Sequence, residues 1–117
     1  MRTNSTTPVY TQVRDRIAGM ILDGVLSPGE LLPSVRSVAA ELQVNPMTVH
    51  RGYQSLVDLG VIEADAGRGM LVLPRARDRL MEIERREFMQ NEWPDVVTRV
   101  KRLGLDPQKL MRDLKGD

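Results

Sequence analysis

Apolar residues recur every three or four positions through three segments in the first half of the chain, the spacing of helices with one buried face. The first segment follows Thr7-Pro8, which predicts an N-cap threonine with proline at the first helical position, and it ends at Gly24. The other two segments follow Ser34 and Asn45-Pro46, both typical helix starts. Only the short turn at Gln43-Val44 separates these two segments, so they predict a helix-turn-helix.

The pattern then changes to two short strand-like runs, at residues 61–64 and 70–73. Between them lies a segment rich in turn-forming residues, Asp65 to Gly69, which predicts a β-hairpin. A helix-turn-helix followed directly by a hairpin is a winged helix. The expected fold is therefore mostly α with a small β-hairpin. Pro74 marks the predicted boundary between a winged-helix DNA-binding domain, residues 1–74, and a helical tail, residues 75–117.

The tail carries a narrow apolar seam, spaced by alternating steps of four and three residues. The seam begins at Met89 and ends at Leu103. Pro94 lies within it, so the helix is expected to kink or restart near Asn91. Asp106-Pro107 predicts the start of a last helix. The residues expected at an interface, which we call the tail seam, are Phe88, Met89, Trp93, Val96, Val100 and Leu103.

Two interpretations of the tail seam stay open: packing on the chain's own last helix, or on a second copy of the chain. A two-helix tail is too small to bury its own apolar face, which favours a homodimer. Repressors of the helix-turn-helix class usually bind paired half-sites as symmetric dimers, which agrees with this prediction. A small-molecule effector at the dimer interface stays open, with its identity unknown.

Composition excludes several other functions. The chain of 117 residues has no cysteine, so it has no disulfide, thiolate nucleophile or cysteine-based zinc site. It has one histidine and no glycine-rich phosphate loop after a strand, so we expect no enzyme activity, metal or cofactor. It has neither a bilayer-spanning apolar run nor a signal peptide, so a cytoplasmic protein is expected. The net charge is only +1, so affinity for DNA has to come from local placement of charge.

The second helix of a helix-turn-helix enters the major groove, so its outward residues are candidate DNA contacts. Here they are Pro46, Met47, Thr48, His50 and Arg51. Met47 suits a thymine methyl group, Thr48 a phosphate or base edge, and His50 and Arg51 a phosphate or guanine. The competing interpretation is an ordinary solvated helix face.

Two further sites could contact the DNA backbone. Ser34, Arg36 and the free N–H groups of the first turn there suit a phosphate, although an isolated surface arginine is common. The wing tip is Gly67-Arg68-Gly69, where the glycines allow close backbone approach and Arg68 suits a phosphate or the minor groove. A plain hairpin turn is the alternative. Gly52 lies inside a predicted helix and indicates close packing against a neighbouring helix.

Taken together, these residues resemble the winged helix of the GntR superfamily. The resemblance spans residues 8–73 and includes Pro8-Val9-Tyr10, residues 24–29, Leu32 to Arg36, Leu42 to Val49, Leu59 to Ile62, and the wing glycines. The short tail resembles that of the YtrA-like subfamily. The resemblance implies a dimeric transcriptional regulator, usually a repressor, often acting on its own transporter operon. It also implies DNA contacts at Ser34, Arg36, Asn45, Met47, Thr48, Arg51 and the wing glycines.

A winged helix that binds a protein and not DNA is the competing hypothesis. Arg36, Arg51 and Arg68 argue against it, because the helix-turn-helix is expected to present all three on one surface. Pro46 and His50 stand where many GntR relatives have other residues, so the base preference of a relative is not transferable.

Overall fold

The computed structural model describes residues 7–116. The polar sequence of residues 1–6 predicts disorder, and this prediction lies outside the described residues. The chain divides into two compact units, the first reaching Met81 and the second starting at Glu82. The first unit extends beyond the predicted boundary at Pro74 because Ala76 and Leu80, in the helix that follows, are buried in its core.

Helix α1, Val9–Leu22, starts one residue later than predicted. Pro8 has an extended ψ of 143° and is itself the N-cap, and no side chain caps the helix, so the prediction that Thr7 is the N-cap was wrong. The helix starts with a backbone bond from the Thr11 N–H to the Pro8 carbonyl, 3.0 Å. It ends before Gly24, as predicted, and this glycine has a left-handed φ of 79° that favours glycine.

Helices α2, Val35–Leu42, and α3, Pro46–Asp58, form the predicted helix-turn-helix. Both predicted N-caps are confirmed. The Ser34 hydroxyl accepts a hydrogen bond from the Ser37 N–H at 3.0 Å, and the Asn45 side-chain oxygen accepts one from the Met47 N–H at 2.8 Å. Gln43 takes a left-handed φ of 54° in the turn between the helices. These local interactions fix where the recognition helix α3 begins.

The predicted hairpin consists of strands β1, Ile62–Asp65, and β2, Gly69–Val72, which pair antiparallel from Ile62 opposite Val72 to Asp65 opposite Gly69. The segment before α2 pairs with β2. The Leu32 N–H donates to the Met70 carbonyl at 2.8 Å, and the Val72 N–H donates to the Glu30 carbonyl at 2.9 Å. The base of the wing is therefore bonded to the chain that leads into the helix-turn-helix.

Apolar side chains from α1, α2, α3 and both strands form the core of the first unit. The Tyr53 hydroxyl of α3 donates to the carbonyl of Pro33 at 2.6 Å, which ties α3 to the start of α2. Burial raises the pKa of this hydroxyl to about 12, because the charged phenolate is poorly solvated there.

Gly52 is a point where α3 packs closely against α1. A Cβ atom at this position would lie 2.9 Å from the Tyr10 carbonyl oxygen and 3.0 Å from a methyl group of Val13. The prediction that this mid-helix glycine serves close helix packing is therefore confirmed.

Helix α4, Ala76–Glu87, crosses from the first unit into the second. Its first turns bind the ends of two earlier helices. Arg77 Nε donates to the Leu22 carbonyl of α1 at 3.0 Å, and Arg79 Nε donates to the carbonyl of Leu59 at the end of α3. The last carbonyls of a helix have no partner within the helix, so these arginines satisfy groups that would otherwise depend on water.

The second unit continues through a π-helical turn, Phe88–Glu92, into helix α5, Trp93–Arg102, and helix α6, Pro107–Leu114. The helix therefore changes form where a kink near Asn91 was predicted. The physical cause is Pro94, which has no N–H to donate and crowds the preceding turn. Asp106 caps α6 by accepting from the Gln108 N–H at 3.0 Å, as its sequence predicted.

Candidate nucleic-acid interface

Helix α3 separates its residues cleanly into a buried and an exposed face. Val49, Tyr53 and Leu56 are buried in the core. On the opposite face Met47 is 69% exposed, so its side chain is accessible to a partner. Three other predicted contacts on this helix are also exposed, namely Pro46, His50 and Arg51, whereas Thr48 is half-buried.

An open groove of about 850 Å³ is found in the second unit, and a smaller one of about 550 Å³ runs along α3 in the first. The groove along α3, which we call the recognition groove, has the start of α1 as its other wall. It brings together four predicted contact residues and four others. Its lining residues are Pro8, Val9, Tyr10, Met47, Thr48, His50, Arg51 and Gln54.

Four residues of the recognition groove were not among the predicted contacts, and two of these, Gln54 and Tyr10, have polar side chains. Gln54 lies four residues after His50 and three after Arg51, so helical spacing alone places it on the same face. Tyr10 belongs to another helix, and its position beside α3 follows from the close approach at Gly52. The Arg51 guanidinium carbon lies 4.3 Å from the centre of the Tyr10 ring, within the range of a cation–π interaction.

The start of α2 supplies a separate candidate phosphate contact. Ser34 and Arg36 are both exposed. The Ser34 hydroxyl already accepts from Ser37, so the N–H groups of Val35 and Arg36 remain as donors at this helix start. Asn45 is an N-cap like Ser34, because its side-chain oxygen accepts a hydrogen bond from the Met47 N–H. That bond gives Asn45 a structural role in setting the start of α3.

The wing tip has the conformation that its sequence predicted. Gly67 and Gly69 have φ angles of 75° and 120°, where a side chain would be strained. Arg68 is exposed, and its guanidinium lies 3.5 Å from a carboxylate oxygen of Asp65. An exposed pair of this kind contributes little to stability, so a phosphate can replace the carboxylate at small cost.

The second unit leaves most of the tail seam exposed. Trp93 is 42% exposed, Leu103 is 60% exposed, and the rings of Phe88 and Trp93 lie 6.3 Å apart. The groove between α5 and α6, which we call the tail groove, is lined mostly by apolar side chains. Three of its exposed residues, Leu105, Met111 and Leu114, were not in the predicted seam. The helical spacing of α6 was the available signal for Met111 and Leu114, whereas Leu105 precedes that helix.

Residues 7–116 hold no group of histidine and acidic side chains arranged to bind a metal ion. Over the same residues no helix has both the length and the apolar character needed to cross a bilayer.

Known proteins resemble this chain across the whole first unit and beyond it. Residues 9–72 match the family model described as bacterial regulatory proteins, gntR family. The chain belongs to the GntR family. This membership confirms the resemblance drawn from the sequence motifs, and it makes the GntR chain a DNA-binding transcriptional regulator and not an enzyme.

Three relatives illustrate how far the similarity of this GntR chain extends. It is 33% identical over 113 residues to the regulator YhcF of Bacillus subtilis, covering 95% of this chain and 90% of YhcF. It is 38% identical over 78 residues to the repressor YtrA of Bacillus subtilis, covering 67% of this chain and 60% of YtrA. The structure of a GntR-family regulator from Listeria monocytogenes matches 98% of this chain and 99% of that chain, with a TM-score of 0.75 and 26% identity.

Proposed function

We propose that this GntR-family regulator is a dimeric repressor that binds a palindromic operator upstream of its own transporter operon. The observation that supports this most strongly is the exposed face of α3, where Met47, His50 and Arg51 stand over a core of fully buried residues. A helix presented in this way fits the major groove. The similarity to the repressor YtrA supports repression over activation. A regulator that binds bacterial DNA acts where that DNA lies, which supports a cytoplasmic location.

The proposed contacts fall into two classes. Met47, Thr48 and His50 read base edges, because they project from the first turns of the recognition helix. Ser34, Arg36, Arg51 and the wing residues Gly67, Arg68 and Gly69 hold the phosphate backbone. Asn45 and Pro46 set the start of α3 and bring Met47 to the groove.

The proposed dimer forms through the tail. Most of the tail seam is exposed, and four of its residues help to line the tail groove, to which α6 adds further apolar side chains. An apolar surface of this extent is typical of an interface between protein chains. A symmetric dimer presents two recognition helices, which is why the operator is expected to consist of two inverted half-sites.

Fluorescence anisotropy with the full chain tests the proposal. Binding to DNA from upstream of its own gene is compared with binding to a scrambled duplex at two salt concentrations. We expect the upstream DNA to bind at least about 1,000-fold more tightly, with an affinity that falls steeply as salt rises. Equal binding to both duplexes would contradict an operator at this position. Absence of binding at both salt concentrations would favour a winged helix that binds a protein.

A further inference from the structure

The contact between Arg51 and Tyr10 assigns a role to a residue outside the helix-turn-helix. Arg51 is the arginine on the outward face of α3, and its guanidinium lies over the Tyr10 ring of α1 at 4.3 Å. An exposed arginine ordinarily samples many rotamers, and ordering it on binding has an entropic cost. A ring in this position removes part of that cost, because the side chain is already held in one arrangement before the partner arrives.

We infer that Tyr10 is a positioning residue for DNA recognition, which holds the Arg51 guanidinium at the α1 edge of α3 to receive a backbone phosphate. This inference rests on the proposed DNA-binding role of α3.

The fixed backbone geometry supports the assignment. The Tyr10 carbonyl lies against Gly52, the residue that follows Arg51, so α1 and α3 cannot move independently at this point. The ring and the guanidinium therefore lie beside a close contact between the two helices. Tyr10 remains half-buried while Arg51 is exposed, so the guanidinium keeps donors free to face the groove.

The surroundings of Arg51 favour a phosphate over a base edge. The recognition groove has no acidic residue among its lining residues, so an anion meets no carboxylate there. The Tyr10 wall holds the guanidinium toward α1, while Met47 lies one turn earlier on α3. In this arrangement the first turns of α3 contact bases, and Arg51, on the side of α3 that faces α1, contacts the DNA backbone.

A double-mutant cycle measured by fluorescence anisotropy tests the inference. The two duplexes are the DNA from upstream of the protein's own gene and a scrambled sequence. Arg51→Ala should weaken binding to both duplexes and lower the salt slope by about one per copy of the chain. Tyr10→Leu should weaken binding about two- to fivefold per copy of the chain, the range expected for one exposed cation–π contact. Tyr10→Phe, which keeps the ring, should restore most of that loss. Combined with Arg51→Ala, Tyr10→Leu should cause no further loss.

Two controls separate positioning from a general structural effect. Arg16→Ala removes one positive charge, as Arg51→Ala does, but Arg16 pairs with Glu41 and does not line the recognition groove. This variant should leave the salt slope unchanged. In the free protein, NMR should show upfield-shifted Arg51 side-chain protons that return to ordinary positions in Tyr10→Leu but not in Tyr10→Phe.

Three results would overturn the inference. The first is that Tyr10→Leu lowers the DNA affinity of the Arg51→Ala protein as much as that of the original protein. The second is that Tyr10→Phe lowers the affinity as much as Tyr10→Leu does. The third is that Arg51→Ala changes which DNA sequence is preferred. Failure of the original protein to bind DNA would instead contradict the proposed function, and the NMR shift would still report whether the ring holds Arg51.

Discussion

At the scale of single residues, the arginines of the first unit differ in their surroundings. Arg51 lies over Tyr10, and Arg68 lies near Asp65, whereas Arg36 stands exposed at the start of α2. The helix start adds N–H donors beside Arg36, so this residue has the surroundings expected of a phosphate contact. Met47 has no charge and stands on the outward face of α3, the surroundings expected of a base contact.

Arg36→Ala should therefore weaken binding to every DNA sequence and reduce the salt slope by about two in a dimer, one for each copy. Met47→Ala provides the contrast, because it should change the preferred sequence without changing the slope. Anisotropy titrations over a salt series measure both. An unchanged slope for Arg36→Ala would remove this residue from the backbone contacts.

Tyr53 makes a pH-dependent contribution to stability. Its pKa in the folded protein is about 12, above the ordinary value of 10.0, so the folded protein keeps a proton that the unfolded chain releases. The contribution is complete below pH 10 and is lost as the pH rises toward 12. The loss amounts to about 1.4 kcal/mol by pH 11.

Tyr53→Phe should lower the free energy of unfolding by about 1–2 kcal/mol at pH 7, because the Pro33 carbonyl loses its donor. Urea unfolding at pH 7 and pH 11 should show this difference shrinking at the higher pH, since phenylalanine does not titrate. A difference that stays constant would mean that Tyr53 does not titrate as its burial requires.

At the scale of helices and strands, the crossing of α1 and α3 depends on Gly52. Gly52→Ala gains helix propensity, but its Cβ would meet the Tyr10 carbonyl at 2.9 Å and the buried Val13. Overpacking typically costs about 1–3 kcal/mol, so the net effect should be a destabilisation of about 1 kcal/mol. Gly19→Ala is the matched control, because nothing lies within 4 Å of its Cβ position.

Thermal unfolding should therefore move in opposite directions for the two variants, with Gly19→Ala raising Tm and Gly52→Ala lowering it. If Gly52→Ala also raised Tm, the helix contact would be looser than its distances indicate.

The elements that the sequence predicted best are those set by neighbouring residues. The N-caps at Ser34 and Asn45 and the break before Pro94 depend on interactions within a few positions. Thr7 was misassigned because the extended conformation of Pro8 moved the helix start by one residue. The contact between Tyr10 and Arg51 was not predictable in this way. It joins residues far apart in the chain and depends on how α1 crosses α3.

At the scale of the whole molecule, the proposed dimer depends on an apolar surface in the second unit. Leu103→Glu should raise the dimer dissociation constant at least about 100-fold, because burying an unpaired carboxylate at an interface costs several kcal/mol. Val25→Glu is the matched control, since Val25 is 62% exposed, close to the 60% of Leu103, but belongs to the first unit.

Sedimentation equilibrium should show monomers for Leu103→Glu and dimers for Val25→Glu. Dimers of unchanged stability in the Leu103→Glu protein would place the interface away from the tail seam.

The bonds from Arg77 and Arg79 to the ends of α1 and α3 have a consequence for recombination between genes. Together with the buried Ala76 and Leu80, they make the first turns of α4 part of the DNA-binding unit. A gene fusion that joined this unit to a different C-terminal segment at Pro74 would leave the core open and two helix ends uncapped. We expect such a junction to preserve the winged helix only when it falls after Leu80.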